Sequence, residues 1–213
     1  MLLPDIENVK IAYEIYQEQK EWVLAEKIVT SFFANNKSNK DESSIFLKVK
    51  LLNSLYNTNV FAIRKMARHI LHLNADNDLK SGKIEIVEKI ANLKLEKDKS
   101  KRFISFASKY CHFHEPHKYA IYDKFALRAL IEIIGSPNKK MGRDYRTYFE
   151  AIKDLKNNLQ GVSFVQIDRY LWLYGQYIKK DKKSYGVQEA LIKFFNREVE
   201  LCKKLIPREN KET

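Results

Sequence analysis

The sequence predicts an all-α protein, folded as a two-lobed helical bundle. Only 6 glycines and 4 prolines occur among 213 residues, which leaves few turn-forming residues for a sheet-rich fold. Apolar residues make up 45% of the chain, and in most segments they recur at the three- and four-residue spacing of an amphipathic helix. A chain of this length buries well over half of its extended surface, so it can form a full core.

The N-terminal third predicts four helices, because apolar side chains recur there on one helical face. The polar, turn-rich segment 35–44 separates the first pair from the second and marks a lobe boundary near residue 40. Ser43 or Ser44 is expected to cap the third helix, and Thr58 is expected to cap the fourth. The apolar positions that define these helices include Ile6, Val9, Ala12, Tyr16, Trp22, Val29, Phe33, Ile45, Val49, Leu52, Tyr56, Val60, Ile63, Ala67 and Ile70.

The rest of the chain predicts further helices with two basic loops between them. Residues 81–93 form an amphipathic helix, and the basic loop LEKDKSKR at 95–102 follows it. A second basic loop lies at 135–144, and apolar periodicity resumes from Tyr145 and again from Ile167. The predicted lobes are residues 1–40 together with 136–213, and residues 41–135.

The stretch 101–135 holds the candidate site, because a polar helical face there precedes an extended run that ends in an acidic residue. Pro116 ends the first helix, and the alternating aromatic run KYAIY carries the chain extended up to Asp123. The helical period resumes directly after Asp123, which places this residue at an N-cap. The polar face of the first helix consists of Ser105, Ser108, Lys109 and His112.

Asp123 has a structural and a catalytic interpretation. As an N-cap, its carboxylate accepts the free amide hydrogens of the first helical turn and stabilises the helix by roughly 1 kcal/mol. The same surroundings keep the carboxylate ionised, which suits stabilisation of a developing positive charge better than donation of a proton. One residue can serve in both ways, so both interpretations stay open at this point.

The run AIYDKFALRALIEIIG, residues 120–135, resembles a segment of the helix-hairpin-helix DNA glycosylase superfamily. In that family a short extended run delivers an essential aspartate to a helix start, and a helix of the form (Lys or Ser)-Thr-Ala precedes it by about eighteen positions. The matching position is Ser105, and Ala107 preserves the alanine. Family members with lysine at that position form a covalent imine with the sugar, so the resemblance implies a monofunctional, hydrolytic glycosylase. Lys109, one turn further on the same face, is the alternative nucleophile.

A second segment, LLNSLYNTNVFAIRKMARHI at 51–70, is similar to the helix, short break and helix of that family. The family uses the break to insert a side chain into the gap that a flipped base leaves, and Tyr56 or Asn57 holds the equivalent position. The family's glycine-rich hairpin is absent, and LEKDKSKR stands in its place. The resemblance covers residues 45–135 and implies a base pocket walled by Tyr110, Tyr122, His112 and Trp172.

The basic loops are the candidate DNA contacts, because the chain has a net charge of +12 and a pI near 9.5. The expected partner is double-stranded DNA with a modified or damaged base, in repair or in defence against phage. Two alternatives stay open: a helical nucleic-acid-binding or phage-defence module without chemistry, and an interaction protein with a solvated basic surface. The expected DNA-contacting residues are Tyr56, Asn57, Lys97, Lys99, Lys101, Arg102, Lys139, Lys140 and Arg143.

No cofactor or metal is expected. The chain has no four-cysteine cluster for iron and sulfur, and Pro116 interrupts His112, His114 and His117, so the three histidines cannot share one helical face. Two cysteines are too few for a disulfide framework, and no apolar run reaches the length of a membrane span. We therefore expect a cytoplasmic, nucleoid-associated monomer with no membrane contact.

Overall fold

The computed structural model describes residues 4–96, 99–135, 141–179, 192–197 and 200. Its described part is mostly helical with one small two-stranded sheet, which confirms the all-α prediction. In that part no helix is long and apolar enough to cross a membrane. The elements are α1 (Ile6–Gln17), α2 (Lys20–Asn35), α3 (Glu42–Tyr56), α4 (Ile63–Leu73), α5 (Asp76–Ser81), α6 (Glu85–Ala91), β1 (Asn92–Glu96), β2 (Lys99–Arg102), α7 (Ile104–His114), α8 (Lys124–Ile134), α9 (Tyr145–Asn158) and α10 (Phe164–Lys179).

Aspartate side chains cap several of these helices. The Asp41 carboxylate, not a serine hydroxyl, caps α3, and it accepts the backbone N–H of Ser44 at 2.7 Å. Thr58 does not cap α4, which begins five residues later at Ile63. Its hydroxyl instead donates to Asn53 Oδ1 at 3.1 Å and braces the loop before α4. The two predicted cap positions were therefore wrong, because a nearby carboxylate or a longer loop took their place.

The first basic loop is a β-hairpin rather than an irregular connection. Strand β1 pairs antiparallel with β2, with Leu93 opposite Lys101 and Lys94 opposite Ser100. The ladder is irregular between Lys94 and Glu96, a position at which a bulge increases the local twist. The hairpin therefore presents its lysines on a twisted ribbon that leads directly into α7.

Helix α7 lies at the centre of the fold. Every residue from Phe106 to Phe113 is buried, as expected for a helix that neighbours surround on all sides. Helices α2, α3, α5 and α6 pack against it. The polar positions Ser108, Lys109 and His112 are buried together with the apolar ones, so each of them requires a partner inside the protein.

Helix α10 returns to the N-terminus and packs against α1 and α8. Helix α10 closely approaches α8 at Gly175, where an added Cβ would lie 2.0 Å from the backbone oxygen of Phe125. Phe125 is in the first turn of α8, whose N-cap is Asp123. The absence of a side chain at residue 175 therefore sets how closely α10 approaches the start of α8.

We expect Gly175→Ala to destabilise the protein by about 1–3 kcal/mol, because the methyl group would meet backbone that cannot move aside alone. In an open helix position the same change stabilises by roughly 0.5–1 kcal/mol, so the sign of the effect is diagnostic. Thermal unfolding measures it as a Tm that is lower by several degrees.

Gly142→Ala is the matched control, because a Cβ there meets only Leu127 Cδ2 at an ordinary 3.8 Å. A Gly175→Ala protein as stable as wild type would contradict the close approach of α10 to the first turn of α8.

Candidate functional site

Three predicted catalytic residues meet where α7 faces the start of α8. The Lys109 Nζ donates to Ser105 Oγ at 2.8 Å and lies 4.0 Å from Asp123 Oδ2. The Asp123 carboxylate accepts the backbone N–H of Phe125 at 2.7 Å, which makes it the N-cap of α8 as the sequence predicts. The Lys109 side chain is 6% exposed and that of Asp123 21%, so the carboxylate is open to solvent while the amine is enclosed.

The buried Lys109 amine has an altered proton affinity. Burial lowers its pKa, because the charged form loses hydration, and the nearby carboxylates of Asp123 and Asp168 oppose that effect. Asp168 is itself buried, and burial raises its pKa to about 6 against the charges of Arg169 and Lys109. The charges of Lys109 and Asp168 thus favour one another, since each stabilises the charged form of the other.

A buried charged cluster that the sequence patterns did not predict lies on α10 beside this site. The Arg169 guanidinium hydrogen-bonds the Asp168 carboxylate, and its Nη2 lies 2.9 Å from Glu26 Oε2 on α2. The same guanidinium stacks on the ring of Tyr16 at 4.4 Å. The available signal was two consecutive charges in the otherwise apolar run IDRYLWLY, since such charges require buried partners.

Trp172 lies next to that cluster in an aromatic group. Its ring meets Trp22 edge-on at 4.4 Å between centroids and Tyr16 at 6.2 Å. Both tryptophans are partly exposed, so the group has an accessible edge. Its position is compatible with the predicted role of Trp172 as a wall of a pocket, which stays a prediction.

The extended run 119–122 delivers Asp123 to the site, and side chains hold its backbone. In the described part of the chain no strand pairs with this run. Its buried carbonyls accept hydrogen bonds from side chains of α7 and α9, and the Ser108 hydroxyl accepts the Tyr122 N–H at 2.9 Å. The three carbonyl contacts are His112 Nδ1 to Tyr119 O at 2.8 Å, Tyr145 Oη to Ala120 O at 2.6 Å and Tyr148 Oη to Ile121 O at 2.8 Å.

Three residues expected to wall the base pocket are packed in the interior instead. Tyr110 is fully buried, and its hydroxyl donates to Asn39 Oδ1 at 2.5 Å. His112 holds the extended run, and the Tyr122 hydroxyl donates to the carbonyl of Gly142 at 3.1 Å. The polar atoms of all three side chains have partners inside the protein, and their predicted contact with a base stays a prediction.

The residues predicted to fill a gap in DNA differ in accessibility. The Tyr56 ring packs on Phe113, and its hydroxyl is buried, so it does not project from the surface. Asn57 is exposed in a left-handed conformation with φ 48°. The exposed aromatic residue of this loop is Phe61, which sequence analysis did not single out.

The predicted phosphate contacts are only partly available. Lys99, Lys101 and Arg143 are exposed. Arg102 instead forms a two-point ion pair with Glu88, with Nε to Oε2 at 3.0 Å and Nη2 to Oε1 at 2.6 Å. That guanidinium anchors the hairpin to α6. The other predicted contacts, Lys97, Lys139 and Lys140, lie outside the described residues.

No group of three or more His, Cys, Asp or Glu side chains in the described residues could hold a metal ion. His112 and His114 contact different partners, and Cys111 is buried. Burial raises the pKa of the Cys111 thiol, which disfavours the thiolate that binds metals.

Fold and site together define a helical protein with a buried lysine next to a helix-capping aspartate. The family model HI_0787_N, described as an N-terminal domain, matches residues 8–118. A protein of Haemophilus influenzae with the description "Uncharacterized protein" is 30% identical over 177 residues, which cover 80% of this chain and 85% of that protein. The chain belongs to the HI_0787_N family. No solved structure matches it.

The buried His112 makes stability depend on pH. Burial lowers its pKa to about 4, although the bond to Tyr119 opposes the shift. Between pH 6.5 and pH 4 the unfolded chain takes up a proton that the folded protein does not. The free energy of unfolding therefore decreases as the pH is lowered through this window. When the pH is lowered from 7 to 4, we expect the free energy of unfolding of wild type to decrease by on the order of 3 kcal/mol more than that of His112→Asn. The asparagine amide can still donate a hydrogen bond to the carbonyl of Tyr119.

Denaturant unfolding at the two pH values measures that difference. The comparison with a variant is needed because Asp168, with its raised pKa, stabilises the fold as pH falls through about 6. His117→Asn is the matched control, since His117 is exposed in the neighbouring turn. Equal acid sensitivity of wild type and His112→Asn would contradict a buried neutral imidazole.

Proposed function

We propose that this protein is a monofunctional DNA glycosylase, which hydrolyses the N-glycosidic bond of a damaged or modified base flipped from duplex DNA. The observation that carries the proposal is the meeting of Ser105, Lys109 and Asp123 at one partly open position. The resemblance to the helix-hairpin-helix glycosylases rests on the spacing of these residues in the sequence. Their proximity in space is a separate observation that supports the same proposal. Repair and phage defence are both compatible with this chemistry.

In the proposed reaction Asp123 acts on the sugar. Its carboxylate stabilises positive charge as the bond between C1′ and the base nitrogen breaks, and the base leaves with the bonding electron pair. A water molecule then bonds to C1′ and transfers a proton to the carboxylate. The Phe125 N–H holds one carboxylate oxygen at 2.7 Å, so the other one, nearer Lys109, is oriented for this role.

Lys109 is assigned a positioning role rather than a covalent one. Its amine donates to Ser105 Oγ at 2.8 Å, has little exposure and lies next to the carboxylate. An amine that attacks the sugar must reach C1′ freely, and this one is enclosed by its partners. The lowered pKa of Lys109 is the feature that favours the alternative, since a neutral amine is the nucleophilic form.

A helical DNA-binding or phage-defence module without chemistry is the second candidate. The observation that favours it is that Asp123 forms a complete N-cap, which explains an aspartate at this position without catalysis. The two candidates share the positive charge and the helices, so only a change at Asp123 that spares the fold separates them.

We expect Asp123→Asn to bind DNA as wild type does and to lose excision by at least about 100-fold, because the amide can cap the helix but carries no negative charge. The assay incubates the protein with oligonucleotides that each carry one altered base, followed by alkali to cut at abasic sites. Oxidised, alkylated, deaminated and phage-type modified bases make up the panel.

Asp41→Asn is the matched control, since it removes the same charge from an N-cap on α3 that accepts Ser44 N–H at 2.7 Å. If Asp123→Asn excises the best substrate as fast as wild type, the assignment of Asp123 as the catalytic residue fails. If wild type excises no base in the panel, the glycosylase proposal loses its support and the module without chemistry remains.

We expect no covalent adduct when wild type is incubated with its best substrate and borohydride, because a hydrolytic enzyme forms no imine to reduce. Strand cleavage should accordingly require added alkali. Denaturing electrophoresis measures both properties. A trapped adduct that Lys109→Met abolishes would assign Lys109 as a covalent nucleophile and make the enzyme a lyase.

A further inference from the structure

Phe61 is an unusually exposed aromatic side chain on a braced loop. Phe61 is 67% exposed, while Val60 beside it is fully buried and anchors the loop in the core. Asn53 Oδ1 accepts the Val60 N–H at 2.7 Å, and Asn57 and Asn59 adopt left-handed conformations that fix the turns of the loop. The loop therefore presents the ring to solvent in one conformation.

One lysine lies over the Phe61 ring, and further basic residues are on the hairpin and at the start of α4. The lysine over the ring is Lys101 of the hairpin, with Nζ 4.3 Å from the ring centroid. Lys65, in the first turn of α4, donates to the carbonyl of Leu95 at 2.6 Å and so ties the hairpin to the same loop. Arg64 is exposed three residues after Phe61, and Lys99 is exposed two residues before Lys101. An exposed ring among cations is the combination that binds nucleic acid by base stacking and phosphate contact.

The Phe61 surface is connected to the candidate site through α7. The ring meets Phe103 at 5.9 Å between centroids, and Phe103 is the N-cap residue of α7. Ser105 and Lys109 follow on the first turns of that helix. The exposed ring and the candidate site are thus at the same end of α7.

We propose that Phe61 stacks on a nucleobase at a position where the stacking of duplex DNA is interrupted, while Lys101 and Lys99 contact the adjacent phosphates. The choice of DNA as the partner rests on the proposed function. The ring supplies a flat apolar face, and every base can stack on it without sequence preference. The lysines supply the salt-dependent part of the affinity.

This surface replaces Tyr56 as the aromatic contact of the α3–α4 loop. The Tyr56 hydroxyl is buried and its ring packs on Phe113, whereas Phe61 is 67% exposed. Stacking requires an accessible ring face, so accessibility decides between the two residues.

The experiment measures binding to two duplexes at one fixed salt concentration. One duplex is fully paired, and the other carries 2-aminopurine next to a stable abasic site. We expect wild type to prefer the interrupted duplex and to quench the 2-aminopurine fluorescence by stacking. Phe61→Ala should lose roughly 5- to 100-fold in affinity for the interrupted duplex, together with the quenching, and Phe61→Trp should restore both.

Two further variants separate stacking from other effects. Leu24→Ala removes a side chain that is 59% exposed on α2, and it should leave binding unchanged. Lys101→Gln should weaken binding to both duplexes by the same factor and reduce the salt dependence of binding. A Phe61→Ala protein that keeps the preference and the quenching would overturn the proposal. A Leu24→Ala protein that loses as much affinity as Phe61→Ala would overturn it as well.

The assay involves no excision, so its outcome is independent of catalysis. If wild type shows the Phe61-dependent preference but releases no base from any substrate, the glycosylase proposal fails and the stacking surface stands. If Asp123→Asn abolishes excision while Phe61→Ala binds the interrupted duplex as wild type does, the stacking proposal fails alone.

Discussion

The unpaired extended run 119–122 is the constraint on which the rest of the site depends. A buried backbone without a strand partner must find hydrogen bonds elsewhere, because each unmet group costs about 1–3 kcal/mol. Helix α7 contributes His112 and Ser108, and α9 contributes Tyr145 and Tyr148. The polar residues in the interior of α7 and the tyrosines at the start of α9 follow from this requirement, and the run holds Asp123 in a fixed place as a result.

The position of Asp123 is fixed from its other side by α10. Gly175 lets α10 approach the first turn of α8, and Asp168 and Arg169 on the same helix act on the charge of Lys109. Removing a lysine amine from water is costly unless opposite charge is close. The carboxylates of two helices offset part of that cost at Lys109, so the packing of α8 on α10 and the charge balance of the site depend on each other.

Local patterns predicted much of this arrangement, and non-local contacts account for what they missed. Helical periodicity placed α7 and α8, and the extended run before Asp123 followed from alternating aromatics and a proline. The same patterns could not distinguish Tyr110, which is buried against Asn39, from a pocket wall, because a stripe of aromatics looks alike in both cases. Arg102 has the sequence context of a phosphate contact, yet Glu88 pairs with it from fourteen residues away. Partners of that kind are set by the fold.

The two oxygens of its carboxylate allow Asp123 to cap a helix and to remain available for the proposed chemistry. A cap uses one carboxylate oxygen, here bound by Phe125 N–H, and the site next to Lys109 is on the other oxygen. Since the cap and the held extended run determine where the carboxylate lies, the proposed role of Asp123 would require no rearrangement of that carboxylate, which is the property that electrostatic catalysis requires. The cap and the proposed catalytic role of Asp123 therefore favour the same geometry, and a stable cap is compatible with the function proposed for the site.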